Sequence, residues 1–112
     1  MAWAKLDDQF NNHPKTREAW RTDPVSVGLY ALALSWAAQY ETDGRVTPAW
    51  VEDQLPDEEQ RTSAVSALVN AGLWVENGNG WVIHDYLEYN PSKAEIQAKR
   101  EADKQRKARA RK

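Results

Sequence analysis

The sequence predicts an α+β fold in which several helices precede a β-hairpin, and three observations carry that prediction. Asp23-Pro24 and Thr47-Pro48 each combine a capping side chain with Pro at the first helical position, which is typical of helix starts. A third capping side chain, Asp57, precedes a run with helical spacing of apolar residues. Two Asn-Gly pairs in residues 77–80 separate two β-rich runs, which is a strong hairpin signal.

The N-terminal residues predict a short strand followed by a short helix. Residues 2–10 begin with alternating side chains, and this alternation favours an edge strand. His13-Pro14 interrupts it, because the residue before Pro is disfavoured in the α region. Pro14 then opens a short helix that we expect to reach Trp20.

The run 24–40 has almost no polar stripe, which is typical of a central helix buried on all sides. We expect it to stop at Asp43-Gly44, with Gly44 as the left-handed cap. Residues 45–47 predict a very short extended piece. A brief helix from Thr47-Pro48 to about Leu55 follows.

The helix predicted over 58–70 begins with Glu58 and Glu59, where the helix dipole favours acidic side chains. Its apolar spacing predicts a buried face formed by Val65, Leu68 and Val69. Arg61 is expected at the edge of that face. A projection at 100° per residue places these residues opposite it: Glu59, Gln60, Ser63, Ser66, Ala67 and Asn70.

The hairpin is predicted from residues 73–76 and 81–84, with Asn77 and Asn79 in its loop. Asn90-Pro91 then breaks the chain. Ser92-x-x-Glu95 is a capping box that opens a basic helix, which we expect to be frayed and solvated.

Charge divides the chain into two parts. Residues 91–112 hold nine Lys or Arg and three Asp or Glu, a balance of +6. Residues 1–90 hold six basic and fourteen acidic residues, a balance of −8. We therefore predict a folded domain over 1–90 and a basic helical or disordered arm over 91–112 that seeks polyanions.

The order of elements is that of a winged helix-turn-helix domain, with a three-helix core and the hairpin as its wing. In more detail, the chain resembles the small winged-helix domains that open many replication-initiation and helix-turn-helix DNA-binding proteins of actinobacterial phages and prophages. The matching stretches are LDDQFNNHPK at 6–15, ALSWAAQYETDGRVTP at 33–48, ALVNAGLW at 67–74 and GWVIHDYLEYNPS at 80–92. The resemblance implies binding to double-stranded DNA in replication initiation or transcription control, inside a bacterial host cell. Longer relatives continue past the arm into further domains.

The predicted DNA contacts come from the helix, the wing and the arm. Asn and Gln can pair with adenine, and Lys and Arg neutralise phosphates. The predicted contacts are Gln60, Arg61, Ser63, Ser66 and Asn70 on the helix, Asn77 and Asn79 in the wing, and Lys93, Lys99, Arg100, Lys104, Arg106, Lys107, Arg109 and Arg111 in the arm. A smaller basic cluster near the N-terminus is expected to assist DNA binding. It consists of Lys15, Arg17 and Arg21.

Other interpretations of these residues stay open. The helix face is equally typical of a solvated surface, the wing loop of a plain turn, and the arm of a solubilising tail. A competing function is an acidic protein-interaction module that docks a basic patch on a host or phage protein, by mimicking DNA or by recruiting replication machinery. A homodimer formed through the arm or the N-terminal strand is a third possibility.

The sequence carries no motif that points to catalysis or to a cofactor. It has no Cys, two separate His, no Gly-rich phosphate loop, no GxSxG and no HExxH. His84 and Asp85, as neighbours in a strand, are expected on opposite faces and unable to act together. We therefore predict a protein that is not an enzyme and needs no metal.

No run approaches the ~18 apolar residues of a membrane span, and no secretory signal is visible, so we expect a soluble intracellular protein without a membrane partner. The six Trp are expected mainly in the core, above all Trp36, Trp74 and Trp81. If two of Trp3, Trp20 and Trp50 are exposed together, they would mark a protein interface.

Overall fold

The structure, a computed structural model, describes residues 3–110. A 3-10 turn at Phe10–Asn12 precedes the regular elements. These are α1 (Pro14–Thr22), α2 (Pro24–Tyr40), β1 (Arg45–Val46), α3 (Pro48–Gln54), α4 (Glu58–Ala71), β2 (Trp74–Asn77), β3 (Gly80–Ile83), α5 (Tyr86–Tyr89) and α6 (Lys93–Ala110).

Side chains that precede the helices cap them as predicted. The backbone N–H of Val25 donates to the Asp23 carboxylate over 3.0 Å, which begins α2. Asp57 accepts from the N–H of Gln60 over 2.9 Å in the same way, which begins α4. These contacts satisfy N–H groups that the first turn of a helix leaves without a partner.

The strands form an antiparallel sheet in the order β1-β3-β2. Asn77 pairs with Gly80, so the hairpin turn contains only Gly78 and Asn79. Gly78 has a φ of 61°, as the first central residue of a type II′ turn requires. Helices with a small three-stranded antiparallel sheet confirm the α+β class, and this arrangement is compatible with a winged helix.

The core lies between the sheet and three helices, α1, α2 and α4, that pack on one another. The predicted winged-helix core takes its three helices from residues 24–70. The structure adds α1, which contacts both α2 and α4. The largest fully buried apolar side chains of the core come from both helices and strands. They are Trp74, Leu68, Ile83, Val46 and Val51.

The predicted edge strand over 2–10 is wrong within the described residues. Residues 3–7 have no regular structure, and the N–H of Lys5 donates to Asn90 Oδ1 over 2.9 Å instead of pairing with the sheet. The Asp7 carboxylate accepts from the N–H of Gln9, a local bond that favours a turn over an extended chain. Ala2 lies outside the described residues.

The prediction that α2 is buried on all sides is also wrong. Leu32 is 54% exposed, and Val25 and Tyr40 near the two ends of the helix are exposed as well. The reason is that α1 and α4 cover one side of α2 only. The left-handed residue at its end is Glu41, with a φ of 55°, rather than Gly44.

The buried face of α4 differs from the predicted one. Ala64, Leu68 and Ala71 are buried, and so is Ala67, which was expected on the exposed face. Val65 and Val69 are only half-buried. Small Ala side chains let α1 and α2 approach α4 closely, which a projection centred on the larger valines does not anticipate.

Candidate nucleic-acid interface

The exposed side of α4 carries most of the polar residues that were predicted to face DNA. Gln60, Ser66 and Asn70 are exposed. Ser63 is also exposed, but its hydroxyl donates to Asp23 Oδ2 over 2.7 Å, so it joins the second turn of α4 to the start of α2. The side chains available to a ligand on α4 are therefore Gln60, Ser66 and Asn70.

Arg61 closes the turn between α3 and α4. Its Nη1 donates to the carbonyl oxygens of Leu55 and Pro56, over 3.0 and 3.1 Å. Both carbonyls lie at or just after the end of α3, where backbone oxygens need donors. These two hydrogen bonds give the Arg61 side chain a structural role that needs no contact with DNA.

Charge changes along α4. Glu58 and Glu59 are exposed in its first turn, and Arg61, the helix's one basic residue, is engaged in the turn before it. At the opposite end, Lys15 Nζ lies 3.5 Å from the carbonyl oxygen of Gly72. The first half of the α4 surface is thus acidic, and its second half is neutral with a cation nearby.

The hairpin loop has a cationic neighbour that the sequence did not reveal. A cleft of about 320 Å³ is lined in part by Arg45, Thr47, Asn77 and Asn79. Arg45 reaches this place because β1 pairs with β3, which sets residue 45 opposite Val82. Only this pairing, more than thirty residues apart in sequence, brings a cation to the loop.

The arm forms the helix α6, and its capping box is confirmed. Ser92 Oγ accepts from the N–H of Glu95 over 3.1 Å, and Glu95 Oε1 accepts from the N–H of Ser92 over 3.5 Å. No described residue of α6 is buried. The molecule measures 60 Å along its longest axis against 30 and 21 Å across, which fits an α6 that projects from the body.

Two contacts fix the base of α6 to the end of α2. The N–H of Lys93 donates to Asp43 Oδ1 over 2.7 Å. About two helical turns later, Arg100 Nη2 lies 2.8 Å from Glu41 Oε1. The acidic residues after α2 therefore set where the arm leaves the body.

Most cations of α6 remain available. Arg106 pairs with Asp103 over 3.2 Å on the same helix, and Arg100 pairs with Glu41. Within residues 3–110, the side chains of five predicted contacts make no ion pair: Lys93, Lys99, Lys104, Lys107 and Arg109. Arg111 lies outside the described residues.

His84 and Asp85 do contact each other, contrary to the expectation that they face opposite sides. His84 Nε2 lies 3.2 Å from Asp85 Oδ2. Strand β3 ends at Ile83, and Asp85 takes a left-handed φ of 60°, so the alternation of a strand no longer applies. Both side chains are over 40% exposed.

The described residues hold neither a cluster of metal ligands nor a helix that could span a membrane. Across residues 3–110, no three or more His, Asp or Glu side chains are grouped so as to hold a metal ion. In that same stretch, each helix is too short or too polar to cross a membrane.

Comparisons of the chain with protein-family models, with curated proteins and with solved structures found no match. The resemblance to phage winged-helix domains therefore stays a prediction.

Proposed function

We propose that this chain is a DNA-binding protein of the winged helix-turn-helix type, with a phage-type role in replication initiation or transcription control. The observation that carries the proposal is α6, an exposed helix with seven Lys or Arg against three Asp or Glu. A helix that buries none of its residues gains little from packing, so its charge is its main means of interaction. Double-stranded DNA is the polyanion that a winged helix binds, and the described fold is compatible with a winged helix.

Phosphate contacts of α6 supply the affinity in this proposal. Each Lys or Arg that neutralises a phosphate releases counterions, so binding weakens steeply as salt is added. The five α6 cations without an ion pair, with Arg111 and Lys112 beyond them, are enough for several such contacts. The helix is about 27 Å long, which spans roughly eight base pairs at ~3.4 Å each.

Orientation on the duplex comes from the second half of α4 and from the wing. Asn70 and Ser66 are neutral, exposed and able to reach base edges, whereas Glu58 and Glu59 repel phosphates. Arg45 adds a cation beside the wing loop that Asn77 and Asn79 form. The duplex therefore approaches nearer to the end of α4 than to its start.

Fluorescence anisotropy with a labelled 30-base-pair duplex tests the proposal. The variant K104Q/K107Q removes two phosphate contacts, and we expect binding at 100 mM salt to weaken by about 30- to 100-fold. The matched control Q97A/Q105A changes two exposed uncharged residues of the same helix and should bind as the unmodified chain does. Equal affinity of all three proteins would refute the role of α6.

A second candidate function has its own support. Glu58 and Glu59 on α4 and Glu52 and Asp53 on α3 are all exposed, and such carboxylates suit a basic protein partner. A short polyarginine peptide serves as the probe. If these carboxylates form the working face, E58Q/E59Q weakens peptide binding while the duplex fails to bind at 50 mM salt.

A further inference from the structure

The exposed side of α2 lacks the charged residues that surface helices normally carry. Lys, Arg, Asp and Glu make up 29% of the chain, yet none occurs in the 17 residues of α2. A helix in contact with water normally has a charged or polar outer face. The exposed residues of α2 are instead Pro24, Val25, Gly28, Ala31, Leu32, Ser35, Gln39 and Tyr40.

Aromatic rings widen this surface at one end. Trp36 is half-buried, and its ring stacks on that of Trp50 at 5.3 Å between centroids. The Tyr40 ring lies 5.9 Å from Trp36 and is itself 61% exposed. We call the exposed residues of α2 together with Trp36 and Trp50 the α2 face.

We propose that the α2 face binds a second copy of this chain, with the two α2 helices antiparallel about Leu32. This inference is independent of DNA binding. Leu32 is the middle residue of Pro24–Tyr40, so a two-fold axis beside it sets Leu32 against its own copy. The same pairing sets Gly28 level with Trp36 of the second copy, and Val25 level with Gln39.

Shape supports this pairing over a random partner. A Cβ added at Gly28 would meet no atom within 4 Å, so the surface is open at that level. The row Gly28, Leu32, Trp36 has i, i+4 spacing, and such rows form the ridges that pack into the grooves of another helix. One copy therefore offers a gap where the other offers a large ring, and the two-fold axis repeats this match.

Charge also favours a second copy at this face. Each body carries a balance of −8 over residues 1–90, so most of its surface repels the body of another copy. The uncharged α2 face minimises that repulsion. At its ends, the antiparallel pairing sets Asp43 level with the exposed Arg21 of the second copy. It sets Glu41, which Arg100 of its own chain already pairs, level with Asp23, whose carboxylate is engaged by Val25 and Ser63.

The size of the α2 face sets the expected affinity between the two copies. A 17-residue helix is about 25 Å long, and a contact strip about 10 Å wide along it covers roughly 250 Å². Stable interfaces need about 800 Å² on each partner, and Trp36 with Trp50 supplies only part of the difference. We therefore expect a reversible pair with a dissociation constant on the order of 100 µM.

Analytical ultracentrifugation of the full chain between 10 µM and 1 mM tests the pairing. We expect L32K and L32E each to weaken association at least tenfold, since like charges then meet at the two-fold axis. An equimolar mixture of the two should associate again, since Lys then meets Glu. L87K is the control, because Leu87 is 52% exposed and Leu32 is 54% exposed, but Leu87 lies outside the α2 face.

The same experiment contains the results that would overturn the proposal. A chain that stays monomeric at 1 mM contradicts it, and so does an equal loss of association in L87K, or a mixture of L32K and L32E that stays monomeric. Should the Leu32 variants not fold by circular dichroism, backbone amide shifts of the unmodified chain decide instead. They must change with concentration around Gly28 and Leu32, and shifts that stay constant overturn the pairing.

Discussion

Gly44 is the residue whose replacement by Ala should most clearly test the packing described for the turn after α2. Gly44 has a φ of +86°, which side chains of L-residues disfavour. A Cβ built there would lie 2.6 Å from Tyr86 Cβ and 2.8 Å from Tyr86 Cγ. Tyr86 is buried, so its ring has little freedom to move aside.

The expected cost of G44A has two parts. The left-handed backbone costs an Ala about 1–2 kcal/mol. Forcing a Cβ against the buried Tyr86 side chain adds about 1–3 kcal/mol, the usual range for overpacking. We therefore expect G44A to lower the free energy of unfolding by about 2–5 kcal/mol, a large part of the total for a domain of this size.

Urea denaturation followed by Trp fluorescence measures this difference, and Gly78→Ala separates its two parts. Gly78 also has a positive φ, of +61°, but a Cβ there would meet no atom within 4 Å. G78A should therefore cost only the backbone part, about 1–2 kcal/mol. If G44A costs no more than G78A, the close packing of Gly44 on Tyr86 is refuted.

Three further predictions concern pH, helix stability and charge. Burial, and secondarily the charge of Asp85, raises the pKa of Tyr30 above its ordinary value of about 10. The neutral phenol therefore stabilises the fold below pH 10, and this contribution is lost as pH rises above 10. Between pH 9 and 11.5 the free energy of unfolding should fall less for Y30F, which has no phenol, than for the unmodified chain. Equal pH profiles of the two proteins would contradict this. G28A should raise the free energy of unfolding by about 0.5–1 kcal/mol in urea, because Gly28 lies on an exposed helix surface with open space at its Cβ, and a loss of stability would contradict the helix geometry. E58Q/E59Q should strengthen duplex binding by about 3- to 10-fold at 50 mM salt, because two charges that repel phosphate are removed. An unchanged affinity in anisotropy titrations would show that α4 lies away from the duplex.

Local chemistry made much of the fold predictable. Asp23 and Asp57 each cap the helix that follows, because a carboxylate satisfies backbone N–H groups wherever the rest of the chain lies. The Asn-Gly pairs predict the hairpin for a similar reason, since Gly78 tolerates the turn conformation. Such signals lie within a few residues of the feature that they determine.

Packing between distant segments could not be predicted in this way. Nothing within α2 shows that α1 and α4 cover one side and leave Leu32 exposed. The buried Ala67 was misplaced because its environment depends on which helices approach α4.

The candidate site shows the same division. The basic arm and its capping box are visible in the sequence, because charge and spacing are local properties. Arg45 beside the hairpin loop depends on the pairing of β1 with β3, and the contacts of Arg61 depend on the turn after α3. Residues that long-range pairing brings to a site are found only in the three-dimensional structure.

The central claim, that the charge of α6 provides affinity for DNA, is tested most directly by the salt dependence of duplex binding. For the full chain, a plot of log K against log salt should have a slope of about −5, which corresponds to five or six neutralised phosphates. For K99Q/K104Q/K107Q the slope should change to about −2, since each lost contact removes ~0.9. A slope near zero for the full chain, or the same slope for both proteins, would contradict the account.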